Sequence, residues 1–143
     1  MEILDTLLYD GRIGKIGRFY CPPWHPRFSD TGPIHGNVIV FPRTSVTITH
    51  VGQQPIVGDP NVVMFYNPGQ RYTRGKLSEK GDICDWFGFA PQIVVEALRP
   101  IDPHIDDRWD KPFLFSHGPS TSKLYLQQRL LVEALSQEEP PDL

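Results

Sequence analysis

Cysteine is scarce in this chain of 143 residues: there are two, Cys21 and Cys84. Two thiols cannot make a disulfide-stapled scaffold, so folding must rest on an apolar core. Long apolar runs are missing as well. The longest, Val38 to Phe41 and Val62 to Tyr66, fall far short of the roughly 20 residues of a membrane span. No membrane partner is expected. The start carries Glu2 and Asp5 and no apolar stretch with a cleavage site, so no secretory signal is read and the reducing cytoplasm is the expected compartment. Basic charge is not in excess: 14 Lys and Arg face 17 Asp and Glu, for a net charge of −3. The first 90 residues hold 9 basic and 8 acidic groups, and the last 53 hold 5 and 9. A DNA reader needs a concentrated basic face, which this chain lacks on its own. Its one local cluster, Arg71, Arg74, Lys76 and Lys80, spans a single hairpin.

Catalytic signatures are absent too. There is no Gly-x-Ser-x-Gly, no P-loop, no Gly-x-Gly-x-x-Gly and no His-Glu-x-x-His, and the chain is not expected to be an enzyme. The five histidines, at 25, 35, 50, 104 and 117, are scattered, and no His-x-His pair occurs.

What is present points to one mainly β domain. Hydrophobic residues make up 39% and aromatics 11%, enough for a core. Fifteen prolines and 12 glycines favour short strands and many turns. Residues 1–18 read as a loose opening with one strand through Ile13 and Ile16. Strand signals then recur from Val38 to Phe89, punctuated by Val57-Gly58-Asp59-Pro60, Asn67-Pro68-Gly69 and Ser78-Glu79-Lys80-Gly81. Period-2 geometry puts Val46, Ile48 and His50 on one face. It likewise groups Ile83, Asp85, Phe87 and Phe89 against Cys84 and Trp86. Pro91 suits the first position of a helix reaching Leu98. Residues 100–119 read as an irregular covering segment. Ser120 or Thr121 should cap a helix over about 121–136. Its stripe of Leu124, Leu131 and Leu135 packs either on its own sheet or on a second chain. The acidic, proline-bearing end, 137–143, reads as a linker.

Three sets of residues are candidates for chemistry. His50, Tyr66 and Asp85, with Arg43 or Arg71 as a partner for the carboxylate, are candidates for a ligand pocket. Tyr72 and Trp86 are further aromatic candidates for its lining. Cys21, His25 and Cys84 have zinc-ligand character. Buried free thiols and a disulfide are the alternative readings of the two cysteines. Leu124, Leu131 and Leu135 are the candidate dimer helix.

Several segments carry a family likeness: Phe41-Pro42-Arg43-Thr44-Ser45-Val46, Asp59-Pro60-Asn61-Val62-Val63, Tyr66-Asn67-Pro68-Gly69-Gln70-Arg71-Tyr72, Gly81-Asp82-Ile83-Cys84-Asp85-Trp86-Phe87 and Ser116-His117-Gly118-Pro119. Over roughly residues 15–135 the chain resembles the N-terminal regulatory domain of AraC/XylS-family transcriptional regulators. The resemblance implies a cupin-like jelly-roll barrel, here over about 10–90, followed by C-terminal α-helices. It implies a domain that senses a small-molecule effector or forms a homodimer. DNA would then be bound only through a helix-turn-helix domain, which this sequence does not contain. The Gly-Asp-x-Cys element and the earlier cysteine resemble positions found together in part of the family, which implies that Cys21 and Cys84 lie close. No cofactor is implied beyond that candidate zinc. The rival reading is a cupin-class metalloenzyme or a stand-alone small-molecule-binding protein.

Overall fold

The computed structural model describes residues 3–137. The expected linker therefore lies outside the described residues from 138 onward. Among the described residues there are nine strands, two α-helices and a short 3-10 helix, Ile105–Arg108, so the fold is mainly β. The strands are β1 (Leu4–Asp10), β2 (Gly14–Cys21), β3 (Asn37–Pro42), β4 (Val46–His50), β5 (Ile56–Gly58), β6 (Val62–Tyr66), β7 (Tyr72–Lys76), β8 (Asp82–Phe89) and β9 (His117–Pro119). They form two antiparallel sheets, ordered β1-β2-β8-β3-β6-β9 and β5-β4-β7. The sheets face one another but are not joined by strand pairing into a closed barrel.

The differences from the sequence reading have local causes. The sequence places residues 4–10 in a loose opening, yet they form β1 through a hairpin with β2. Leu4, Leu7 and Tyr9 stay exposed there, because β1 is an edge strand with one face and one edge open. Val57-Gly58 has turn chemistry in the sequence; it instead pairs with Val46 and Thr47 as part of β5. His117 to Pro119 closes the other edge of the large sheet as β9. These short strands exist by virtue of partners distant in sequence.

Where turn chemistry was explicit, it holds. Gly81 sits at φ +79° between β7 and β8, and a Cβ there would meet the Cys21 carbonyl oxygen at 2.2 Å. Only glycine fits that turn without strain.

The core lies between the sheets, where Cys21, Phe28, Val46, Ile48, Met64 and Tyr66 pack together. Helix α1 (Pro91–Leu98) starts on its proline and buries Val94 and Val95. Helix α2 (Ser122–Leu135) is capped by the Thr121 hydroxyl, which accepts from the Leu124 N–H at 3.1 Å. It covers the outer face of the large sheet, and its buried positions are Gln128 and Val132. Leu135 is half-buried, whereas Leu124 and Leu131 are 39% and 44% exposed. Leu124 and Leu131 border a groove between the helix and the sheet, so the expected leucine stripe packs against the sheet only in part.

Candidate functional site

Period-2 alternation along the strands decides what faces the space between the sheets. Val38 and Val40 of β3, Val46 and Ile48 of β4, and Phe19 of β2 line an inter-sheet cavity of about 270 Å³. Polar groups enter the same wall: Tyr66, Tyr72, Asp82, Cys84 and the Trp86 indole. An apolar chamber with a few placed polar groups is the usual composition of a small-molecule site.

Asp82 and Arg74 form a buried ion pair at 2.5 Å between Nη1 and Oδ2. Arg74 is held from every side. Its Nε donates to the Phe28 carbonyl at 2.7 Å and its Nη2 to the Arg27 carbonyl at 3.3 Å. The guanidinium also lies over the Phe28 ring at 4.8 Å and the Phe19 ring at 5.4 Å. Burial pushes the Asp82 carboxyl up, and Arg74 opposes that shift. Burial pushes the Tyr72 phenol up to about 12 and the Tyr66 phenol well above its ordinary value. Both phenols remain protonated at neutral pH and can donate into the cavity.

The cavity is bordered on the β1 side by a polar contact. Trp86 Nε1 donates to Asp5 Oδ1 at 2.8 Å. The indole lies across Gly17 of β2, where a Cβ would meet the ring at 2.2 Å. Gly17 is therefore what allows Trp86 to lie flat between β8 and β1.

The expected ligand-pocket residues are split among four places. Tyr66 lines the inter-sheet cavity. His50 stacks on Tyr66 with ring centres 5.3 Å apart and planes 16° from parallel, and is itself buried behind it. Arg43 is half-buried at the β3–β4 turn, where its N–H donates to the Ile83 carbonyl at 2.8 Å; it does not line the cavity. Asp85 faces the other way. It is fully buried under α2, 2.7 Å from Arg129 Nη1 and 3.9 Å from Arg18 Nε. Arg129 in turn pairs with Glu133. Neither Arg43 nor Arg71 is its partner. Ile83, Asp85 and Phe87 do share a face, as alternation requires. That face is the outer one, and it is buried because α2 covers it. Alternation alone cannot tell two covered faces apart.

Of the candidate metal residues, Cys21 and Cys84 are brought close, and His25 does not complete a three-residue group with them. Cys21 pairs in register with Asp82, and Cys84 with Phe19, so the cysteines are diagonal neighbours on the inner face of adjacent strands. Such diagonals run about 7–8 Å between Cα atoms. Both thiols are free and buried, and burial raises the pKa of each. They are therefore held in the protonated, unreactive form. His25 belongs to a local turn, where its Nδ1 accepts the Arg27 N–H at 3.0 Å. Among the described residues, no group of three or more His, Cys, Asp or Glu is arranged to hold a metal ion.

Sequence reasoning missed Arg74, Asp82, Asp5 and Gly17 as site residues. Trp86 and Cys84 share the parity of Asp82, and that was the available signal. The pairing of Arg74 with Asp82 across the β7–β8 turn needed the register.

Burial lowers the pKa of His50, and His117 adds to the shift. The unfolded chain then takes up a proton below about pH 6.5 before the folded one does. Folded stability contributed by neutral His50 is present above that value and lost as pH falls through the window beneath it. The urea midpoint is expected to drop between pH 7 and 5.5, and His50→Gln should flatten that dependence. An unchanged slope in the variant would assign the dependence to other groups.

No family model and no curated protein matches the chain. Among solved structures, the chain is similar to a cupin domain from Bordetella pertussis Tohama I. The identity is 16%, the match covers 62% of this chain and 94% of that one, and the TM-score is 0.46. The fold described here rests on its own strand pairing. No helix among the described residues is long and apolar enough to cross a membrane.

Proposed function

We propose that this chain is the effector-sensing part of a transcriptional regulator of the AraC/XylS type. The observation that carries the reading is the inter-sheet cavity, apolar on its β3 and β4 walls and bordered by Trp86 and Asp5. A ligand entering there competes with the Asp5–Trp86 hydrogen bond and so acts on β1, the exposed edge of the large sheet. A differential affinity of about 1–3 kcal/mol between two positions of that edge is enough for regulation. DNA contact would come from a separate helix-turn-helix part. A cupin-class metalloenzyme is the weaker reading, because the expected donor set is not assembled.

The test is a thermal-shift screen of small metabolites, followed by Trp fluorescence. A ligand at 100 times its Kd should stabilise the fold by about 2.7 kcal/mol and change Trp86 emission. Gly17→Val, which displaces the indole, should abolish the response. A ligand that stabilises the protein equally in Gly17→Val would overturn this site, as would a screen without hits.

Exposed leucines on α2 support a second part of the reading, a homodimer. Leu126 and Leu130 are 59% and 62% exposed, beside Leu124 and Leu131. An apolar groove of about 400 Å³ runs between α2 and Phe65, Phe87 and Phe89 of the sheet. Two copies of α2 packed antiparallel about a two-fold axis would cover these groups. Light scattering should give about twice 16.3 kDa, and Leu131→Lys should return it to the single-chain mass. A 16.3 kDa species alone at high micromolar concentration excludes the dimer.

A further inference from the structure

The charge on the wall of the inter-sheet cavity has one sign. Two acidic side chains line it, Asp5 and Asp82, and no lysine or arginine does. The one histidine on the wall, His35, is exposed.

The two carboxylates differ in what they face. Asp82 already meets a cation: Arg74, which does not line the cavity, holds its Oδ2 at 2.5 Å. That pair is neutral as a unit, and Asp82 Oδ1 makes no hydrogen bond among the described residues. Asp5 is exposed and forms no ion pair among the described residues. Its contact is the Trp86 Nε1–H, which donates at 2.8 Å. An indole N–H satisfies a lone pair but does not neutralise a carboxylate. One uncompensated negative charge therefore stands on the β1 side of the cavity.

Four aromatic rings share the wall: Phe19, Tyr66, Tyr72 and Trp86. The faces of such rings are negative and attract cations. The Tyr66 and Tyr72 rings are centred 4.9 Å apart and tilted 36°, so they present two facets. Phe19 already takes part in this chemistry, with the Arg74 guanidinium 5.4 Å from its ring centre. Tyr66 is 2% exposed, and its hydroxyl makes no hydrogen bond among the described residues. It can give or accept one hydrogen bond to a ligand. The volume of about 270 Å³ lies just under the roughly 300–1,000 Å³ of sites for drug-sized molecules, so the occupant is compact. An anionic occupant would meet both carboxylates as like charges.

We propose that the inter-sheet cavity binds a compact alkylammonium ion, its charge paired with Asp5 and its alkyl groups set against the faces of Tyr66, Tyr72 and Trp86. This rests on the reading of the cavity as the effector site and names the chemical class of the effector. A full positive charge is a stronger partner for Asp5 than an indole N–H, so the cation draws Asp5 away from Trp86. Occupancy is thereby transmitted to β1, the edge of the large sheet.

The experiment is a calorimetric titration of the full chain at neutral pH and low salt with three probes of similar shape. Choline carries the positive charge, neohexyl alcohol is its neutral carbon analogue, and tert-butylacetate carries a negative charge on the same bulky head. Choline should bind saturably and at least about tenfold more tightly than neohexyl alcohol, and tert-butylacetate should not compete. Asp5→Asn keeps an oxygen for the Trp86 N–H and should leave the thermal midpoint unchanged, yet it should remove the advantage of choline. Asp10→Asn, on the same strand but outside the cavity wall, makes the same change in net charge and should leave choline binding as it was. The inference is overturned if choline binds no better than neohexyl alcohol, if its advantage survives Asp5→Asn, if Asp10→Asn removes it equally, or if tert-butylacetate binds as tightly. A neutral compound that binds, is lost in Gly17→Val and is not outdone by choline overturns the cation alone and leaves the effector cavity standing. Failure of all three probes together with the metabolite screen overturns both.

Discussion

Asp82→Ala is expected to lower the unfolding free energy by about 3–5 kcal/mol. The reason is what it leaves behind. Arg74 is 4% exposed, and with Asp82 gone its guanidinium has only two backbone carbonyls and two aromatic faces around it. None of these neutralises a buried positive charge. Against a typical total of about 5–15 kcal/mol, the loss is a large fraction of the whole. Removing both charges together, as Asp82→Ala with Arg74→Met, should cost clearly less, because no unpaired ion remains. Urea unfolding of the two variants makes the comparison. A single-variant loss under about 1 kcal/mol would place the pair in the range of a solvated surface bridge. Asp82 also forms part of the inter-sheet wall, so the double variant should still fold while changing which ligands the cavity accepts.

Asp85→Ala should have the second-largest effect, toward the lower end of the same range of about 3–5 kcal/mol. Asp85 is fully buried and joins three elements: Arg18 on β2, its own strand β8, and Arg129 on α2. The loss is smaller than at Asp82 because Arg129 keeps Glu133 and both arginines retain some access to water. What distinguishes this variant is where the protein loosens. Amide exchange should rise throughout α2, whose only fully buried apolar contact is Val132, and stay near wild type in β3 and β8. A dimer built on α2 should weaken with it. Binding in the inter-sheet cavity should persist, because Asp85 faces away from it. Lost cavity binding with an intact α2 would contradict this placement.

Much of the fold was legible along the chain. The strands around Val38, Val46, Val62 and Ile83, the Thr121 cap and the start of α1 at Pro91 follow from alternation, helical spacing and turn residues. These are local signals, set within a few residues. β1 and β9 were not legible, because short edge strands exist only through partners elsewhere in the sheet.

The division is sharpest on β8. Its sequence determined that Asp82, Cys84 and Trp86 share one face and that Ile83, Asp85 and Phe87 share the other, since side chains alternate on any strand. Which set lines the cavity was decided only by the tertiary structure. α2 buries the outer face while the small sheet buries the inner one, so hydrophobicity marks both faces alike. The partner of Asp85 lies 44 residues away on that helix, and Arg43 and Arg71, the nearer candidates, make no ion pair with it. Charge pairing across such distances leaves no spacing in the sequence, because Coulombic attraction depends on where folding places two groups and not on how far apart they stand in the chain.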